Sequence, residues 1–401
     1  MSQAEKKDSI TKYKFLYTAI ILLIYLLGRC IPLYGIENVS LAEGNIDAGR
    51  LLEQTISGDL SGRSLFTLGI APYITASILV QITASIMGSG SRSRISPKKM
   101  NRITILLTLL FAFFQAVVHV QELDYHAAGM PLILTQTVRI VEMITGAVLI
   151  LWLAERNKKY GFGGQSVLIY INIIDSMIRT LSRYRWETLL LPILISLAVM
   201  TIILLMESTE KRIPVQRISI HNVYADKNYL AIKLNTAGVM PVMFATAFFM
   251  LPQLLVSGLS YLFPGNEDVI WWQENLALDR PLGIGIYILI LYLLTTGFAM
   301  IMINPGDITE QFLKGGDSIP GLHAGRATKR YLVRQICMIS FFSATVMSIC
   351  LGVPMCLQLK GGMESELVML PASIMMLTSL WYNLYQEFLA VRSFDAYKPF
   401  I

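Results

Sequence analysis

Charge is what this sequence has least of: 15% of its 401 residues are Asp, Glu, Lys or Arg, where a soluble domain carries about a quarter. That shortage excludes an ordinary water-soluble globule. Histidine is scarce too. His119, His126, His221 and His323 lie far apart and no H-E-x-x-H occurs, so no metal is expected. No G-x-x-x-x-G-K-[ST] occurs either, so the chain lacks the usual cradle for a nucleotide phosphate and no cofactor is expected. Gly58-Asp59-Leu60-Ser61-Gly62 sets a serine between glycines, but no histidine is placed as its base, which argues against a protease and leaves no catalytic residues to name. Cys30, Cys337, Cys350 and Cys356 form no C-x-x-C pair; they read as small buried hydrophobes, not as a disulfide framework or metal site. Carboxylates within apolar stretches are few, Glu142 and Asp175 being the candidates. An ion-coupled carrier of a small solute, the leading alternative function, needs such groups at mid-membrane. Their scarcity weakens that reading, and a purely structural membrane scaffold stands behind it.

Hydrophobic residues make up 54% of the chain, and they fall in runs of spanning length at 15–33, 66–88, 103–120, 136–154, 166–181, 187–206, 237–256, 282–303, 333–353 and 368–389. At about 20 residues per crossing, ten spans use roughly half of the chain. Lys6, Lys7, Lys12 and Lys14 precede the first run, Phe15 to Leu27, in the outline of a signal peptide. No small-x-small cleavage site follows, and Arg29 spoils the lipoprotein-like Leu27-Gly28-Arg29-Cys30, so the run reads as a retained span. The expected architecture is an all-α polytopic membrane protein of ten transmembrane helices in two five-helix halves, 1–181 and 182–401. An odd number of spans per half reverses its orientation; no internal repeat is visible, so an inverted pseudo-two-fold between the halves is left open.

Lys and Arg decide the orientation. Four precede residue 15, five lie in 89–102, three in 155–165, five each in 207–236 and 304–334, and two in the tail. That places 24 of 33 on one side, and the positive-inside rule puts both termini in the cytosol. Cations dealt out loop by loop also exclude a nucleic-acid surface. Alternation in Tyr229-Leu230-Ala231-Ile232-Lys233-Leu234 predicts a strand and a small hairpin in the loop 207–236. The loop 304–332 is punctuated by Pro305, Gly306, Gly315, Gly316, Pro320, Gly321 and Gly325, and has the make-up of a recognition loop.

Ile70, Ile74 and Ile78 recur every fourth residue and share one helical stripe. Small Ala71, Ala76 and Ser77 flank it, with Pro72 at its start. Such a stripe serves equally for packing or for lining a cavity; as a ring it would dewet and block ions. The segment Leu68-Gly69-Ile70-Ala71-Pro72-Tyr73-Ile74-Thr75-Ala76-Ser77-Ile78 resembles the second-span signature of the SecY family. Asn304-Pro305-Gly306-Asp307-Ile308 with Ile319-Pro320-Gly321 and Gly325 is similar to its large loop after the eighth span. Asn235-Thr236-Ala237-Gly238-Val239-Met240-Pro241 with Phe244-Ala245 is similar to the start of its seventh. Ile31-Pro32, Trp152-Leu153-Ala154-Glu155, Tyr160-Gly161-Phe162-Gly163 and Arg212-Ile213-Pro214-Val215 are weaker echoes in the same order.

The resemblance implies a central pore for unfolded polypeptide bearing a signal sequence, with lateral release of hydrophobic segments into lipid. It implies a constriction at Ile70, Ile74, Ile78, Ile169 and Met243, and a plug in 55–65 that includes Ser57, Gly58, Asp59, Leu60 and Leu65. Gly58 and Gly62 each lower helix stability by about 1 kcal/mol relative to Ala, which suits a movable element. Gln81, Gln115 and Asn235 would sit at the lateral gate, although simple interhelical hydrogen bonding accounts for them equally. Implied partners are a SecA-type ATPase docking on Arg212, Arg217, Lys314, His323, Arg326, Lys329 and Arg330, and a SecE-like small membrane subunit. The chain departs from the family where His323 replaces the arginine of Arg-Pro-Gly, and where Gln216-Arg217-Ile218-Ser219-Ile220 lacks a basic pair. Both departures resemble the accessory branch kept by some Gram-positive bacteria for dedicated cargo.

The charge distribution makes a topological prediction. Reporter fusions after residues 95, 222 and 320 are expected to report the cytosol, and fusions after 50, 127 and 265 the exterior. A cytosolic signal at 50 together with an exterior signal at 320 would overturn it.

Overall fold

The computed structural model describes residues 3–34, 64–86, 96–122, 132–216, 228–245 and 266–394 apart from residue 365, with scattered residues between 246 and 265. The first six of the ten apolar runs correspond in order to long helices: α1 (Gln3–Arg29), α2 (Ala71–Ile86), α3 (Pro97–Glu122), α4 (Leu132–Tyr160), α5 (Ser166–Arg183) and α6 (Trp186–Ser208). After a hairpin of β1 (Glu210–Pro214) and β2 (Tyr229–Lys233) come α7 (Glu267–Asn275), α8 (Pro281–Ile303), α9 (Pro305–Gly315), α10 (Arg326–Leu359) and α11 (Met369–Phe394). Three more runs correspond to α8, α10 and α11. The remaining run is helical over 240–245 and at each scattered residue described to 259. Among the described residues, five helices are long and apolar enough to cross a membrane on those criteria alone. The chain is a multi-pass membrane protein.

Helix–helix contacts group the elements. In the first half α2 packs on α3, α3 on α4, and α1 against α4 and α5; in the second, α6 runs along α11 and α8 along α10. Leu33, Leu68, Ala112, Ala116, Met143 and Ala147 form a first-half core. A larger second-half core joins Ile203 and Met206 of α6, Tyr287 and Leu291 of α8, Met347 and Leu351 of α10, and Leu370 of α11. The halves meet where α11 touches α1 and α5, and where α2 touches α8.

Particular residues set the joints. Consecutive Gly163 (φ 69°) and Gly164 (φ 48°) are left-handed, a region costly for any residue with a Cβ, and they turn the chain sharply from α4 into α5. Buried Asn157 closes that turn, donating from Nδ2 to the carbonyls of Phe162 (2.8 Å) and Gly164 (2.9 Å) and accepting from Thr18 Oγ1 of α1 (3.0 Å). Asn304 (φ 43°) is the left-handed C-cap of α8. Pro305 then starts α9 at N1, where its missing N–H costs nothing, and Asn304 Nδ2 donates to Asp307 Oδ2 at 2.9 Å.

The structure corrects three expectations. The second span begins as a helix at Ala71 and not near 66, because Leu65 to Ile70 form turns through left-handed Gly69 (φ 53°). The loop 304–332 carries a helix, α9, whose Pro305 and Gly316 act as boundaries and do not signal irregular chain. Of the cysteines only Cys350 is fully buried, while Cys30 and Cys356 are exposed; lipid is as apolar as a protein core, so an apolar run does not dictate burial.

The turn before α2 is seated in space left by glycine. A Cβ at Gly146 of α4 would lie 1.9 Å from the Leu65 carbonyl oxygen. Gly146→Ala is expected to displace that turn and destabilise the protein by about 1–3 kcal/mol, read as a lower thermal midpoint in detergent. Gly297→Ala, with nothing within 4 Å of its Cβ position, serves as the neutral control.

Candidate functional site

The approach to α2 is tethered at each step. Leu65 N–H donates to the Ile31 carbonyl at 2.9 Å, and Pro32 and Ser64 form an antiparallel bridge. Thr67 Oγ1 donates to the Ser64 carbonyl at 2.6 Å. The Phe66 ring stacks on Tyr25 of α1, centroids 5.7 Å apart and planes 11° from parallel. Tyr25 in turn donates its hydroxyl to Asn172 Oδ1 of α5 at 2.7 Å. Ile70 therefore enters the bundle in a defined place, and the Ile74 N–H closes the first helical turn on the Ile70 carbonyl at 3.1 Å.

Four of the five residues assigned to the constriction converge. Ile70 from the turn before α2, Ile74 from α2, Ile169 from α5 and Met243 from the 240–245 helix are all buried in one apolar cluster with Ile173, Phe244 and Phe298. Ile78 is on α2 one turn further on, but its side chain lies outside the described residues. Leu65 is half-buried against the same cluster. Ser57, Gly58, Asp59 and Leu60 lie outside the described residues. The cluster is built of aliphatic, thioether and aromatic side chains, with the Tyr25 hydroxyl, bonded to Asn172, as a polar edge.

The three polar residues assigned to the gate are in different situations. Gln81 is on α2 with its side chain outside the described residues, and Gln115 is half-buried on α3. Asn235 is buried and donates from Nδ2 to Glu207 Oε1 at 2.8 Å, which ties it to the end of α6.

The two large loops, treated separately in the sequence, are one body. Gln216 and Ser318 exchange both backbone hydrogen bonds, N–H to carbonyl at 2.8 and 3.0 Å. Ile213 and Ile232 of the hairpin share a core with Ile319, Ala299 of α8, and Leu332, Ile336 and Ile339 of α10. Arg212 on β1 lies 4.7 Å from the Tyr229 ring centroid across the hairpin. Lys314 pairs with Glu310 at 2.9 Å in solvent, a contact worth little energetically. His323, Arg326, Lys329 and Arg330 are exposed, and the His323 carbonyl accepts from Thr328 Oγ1 at 2.9 Å. With no acidic residue in the first turn of α10, cations crowd the positive end of that helix dipole and reinforce its field. Arg217 lies outside the described residues.

The carboxylates noted in the apolar runs are occupied. Asp175 pairs with Arg29 of α1 at 2.6 Å and with Arg179 at 3.2 Å. Glu142 Oε2 accepts the Tyr34 N–H at 3.0 Å, beside Arg139, whose Nε donates to the Tyr34 carbonyl at 2.9 Å. At the joint between α5 and α6, Arg183 pairs with Glu366 at 2.9 Å. Burial, with Glu364 and Glu366 nearby, pushes the Tyr184 phenol above its ordinary range. The sequence reading missed Glu207, which is buried against Asn235 and Ser379. Its available signal was a carboxylate closing a run, 187–206, that holds only one other charged residue, Glu187.

Comparison with known proteins follows this geometry. A family model described as SecY matches residues 64–385. The chain is 29% identical to the accessory Sec system protein translocase subunit SecY2 of Leuconostoc gelidum subsp. gasicomitatum, over 96% of each chain. It is also 29% identical to the protein of the same name from Streptococcus agalactiae serotype Ia, over 96% of this chain and 95% of that one. Its fold matches a solved protein-conducting channel with a TM-score of 0.66 at 20% identity, covering 95% of this chain and 93% of the other. A SecY structure concerned with a plug domain that stabilises the closed channel matches with a TM-score of 0.61 at 21% identity, covering 95% and 92%.

Proposed function

The chain belongs to the SecY family of protein-translocation channels, and from that premise we propose that it is the pore-forming subunit of an export translocase with dedicated substrates. Unfolded polypeptide bearing a signal sequence crosses the cytoplasmic membrane through it, and hydrophobic segments leave sideways into lipid. One observation carries the reading: Ile70, Ile74, Ile169 and Met243, from separate elements, meet in a single buried cluster. A ring of apolar side chains excludes water and ions yet yields around any passing sequence. Leu65, at the end of the plug segment, packs against it, and we assign Ile78 to the same constriction from the sequence motif. Gln81, Gln115 and Asn235 belong to the gate through which signal sequences part the helices.

An ion-coupled carrier is less well supported. It needs an ionisable group free at mid-membrane, and Asp175 and Glu142 are engaged in bonds to α1 and to the Tyr34 backbone. The channel is not a catalyst, and its driving force comes from a partner. A SecA-type ATPase docks on the joined loops, where Arg212, Arg217, Lys314, His323, Arg326, Lys329 and Arg330 supply the positive face, and a SecE-like subunit clamps the halves. Both termini are cytosolic, as the distribution of cations requires. The accessory Sec names of the relatives and the two loop departures support a dedicated export route.

Two experiments test this. Ile74→Asn combined with Met243→Asn is expected to hydrate the constriction and raise resting ion conductance in reconstituted bilayers; normal expression without added leak would sink the pore assignment. For the motor, a planar guanidinium fork and an imidazole are not equivalent donors. A motor built to clamp arginine would forgo charge-assisted bonds worth about 1.5–3 kcal/mol at His323. His323→Arg is therefore expected to raise affinity for a housekeeping motor about tenfold. Equal binding of that motor to wild type and variant would argue against dedicated pairing.

A further inference from the structure

Between Leu234 and Met243 the chain passes from one core to another. Leu234 packs against the apolar core of the joined loops, and its N–H donates to the Thr209 carbonyl at 3.1 Å. Ala237, Val239 and Met243 belong to the constriction cluster. The junction is held by Glu207, at the end of α6 and 2% exposed. Its Oε1 accepts from Asn235 Nδ2 at 2.8 Å and from Ser379 Oγ of α11 at 2.5 Å. Asn235 and Ser379 are themselves buried, at 2% and 1% exposed. The turn that follows passes through left-handed Gly238 (φ 59°), where a Cβ would lie 3.6 Å from Ser379 Oγ and 4.0 Å from Glu207 Oε1. One oxygen therefore registers three elements against one another at the point where loop becomes pore wall.

We propose that Glu207 is a positioning residue of the channel: it holds the 235–243 segment, and Met243 with it, against α6 and α11, so that movement of the joined loops reaches the constriction. This rests on the assignment of Met243 to the seal. The neighbouring Lys233 acts on Glu207 through its charge, while its Nζ donates to Gln386 Oε1 at 2.6 Å and lies over the Tyr382 ring. The two hydrogen bonds themselves need an acceptor oxygen at this place, charged or not. Glutamine can supply that acceptor at the same place, whereas leucine leaves two buried donors without a partner, which proteins strongly avoid.

The test measures resting conductance of the channel reconstituted with its co-purifying subunits, at matched amounts of folded protein. Glu207→Leu is expected to leak several-fold more than wild type, Glu207→Gln to stay sealed, and Ser379→Ala, which removes one donor and little volume, to leak to an intermediate extent. Ile203→Ala, one turn earlier on α6 in the second-half core, supplies a destabilised control that should remain sealed. Should Glu207→Leu fold too poorly, Ser379→Ala carries the comparison. A Glu207→Leu channel as tight as wild type beside a leaking Met243→Asn channel overturns the positioning role alone. A sealed Met243→Asn channel overturns the constriction reading beneath it and the proposal with it. Equal leak from Glu207→Gln and Glu207→Leu, or from Ile203→Ala and Glu207→Leu, also overturns it.

Discussion

Without water in the hydrocarbon of a bilayer, every buried donor and acceptor must find its partner inside the protein, and much of this architecture follows from that requirement. Apolar helix faces gain little from leaving lipid for one another, so apolar contact alone specifies few neighbours. Orientation comes from polar ties: Tyr25 to Asn172 and Arg29 to Asp175 join α1 to α5. Asn157 joins the α4–α5 turn to α1, and Gly163 N–H reaches Glu387 of α11 at 3.0 Å. Arg139, fully buried, holds the Tyr34 carbonyl and Glu142 the Tyr34 N–H.

The centre obeys the opposite rule. Where Ile70, Ile74, Ile169 and Met243 meet, their side chains touch through apolar contact. Dispersion contacts are individually weak and can be remade around a different neighbour, whereas a hydrogen bond broken in lipid has no substitute. A rigid polar frame around a compliant apolar middle is the arrangement a gated conduit needs. The frame reaches that middle through Glu207 and Asn235, at the entry to the segment that carries Met243.

The two loops show how one device serves several ends. A single pair of backbone hydrogen bonds between Gln216 and Ser318, backed by Ile213 and Ile319 in a common core, converts two connections into one surface. That surface is continuous with α8 and α10 through Ala299, Leu332 and Ile336. Its exposed cations, Arg326, Lys329 and Arg330, stand at the start of a 34-residue helix, so a partner bound there would press on a long lever and not on a flexible tail.

The sequence by itself determined what depends on local composition and period. The apolar runs and the hairpin strand at Tyr229 were legible, because hydropathy and alternation act residue by residue. The ordered motifs carried the family. Only the tertiary structure decided what depends on long-range partners. That Ile169 and Met243 join Ile70 and Ile74 in one cluster follows from which helices cross. That Asp175 and Glu142 are engaged depends on residues more than 100 positions away. The close approach of the Leu65 carbonyl to α4 depends on the space at Gly146. Glu207 is the clearest case: its partners, Asn235 and Ser379, lie 28 and 172 residues further along the chain, and no local pattern distinguishes a carboxylate that will be buried among donors from one that ends a helix in water.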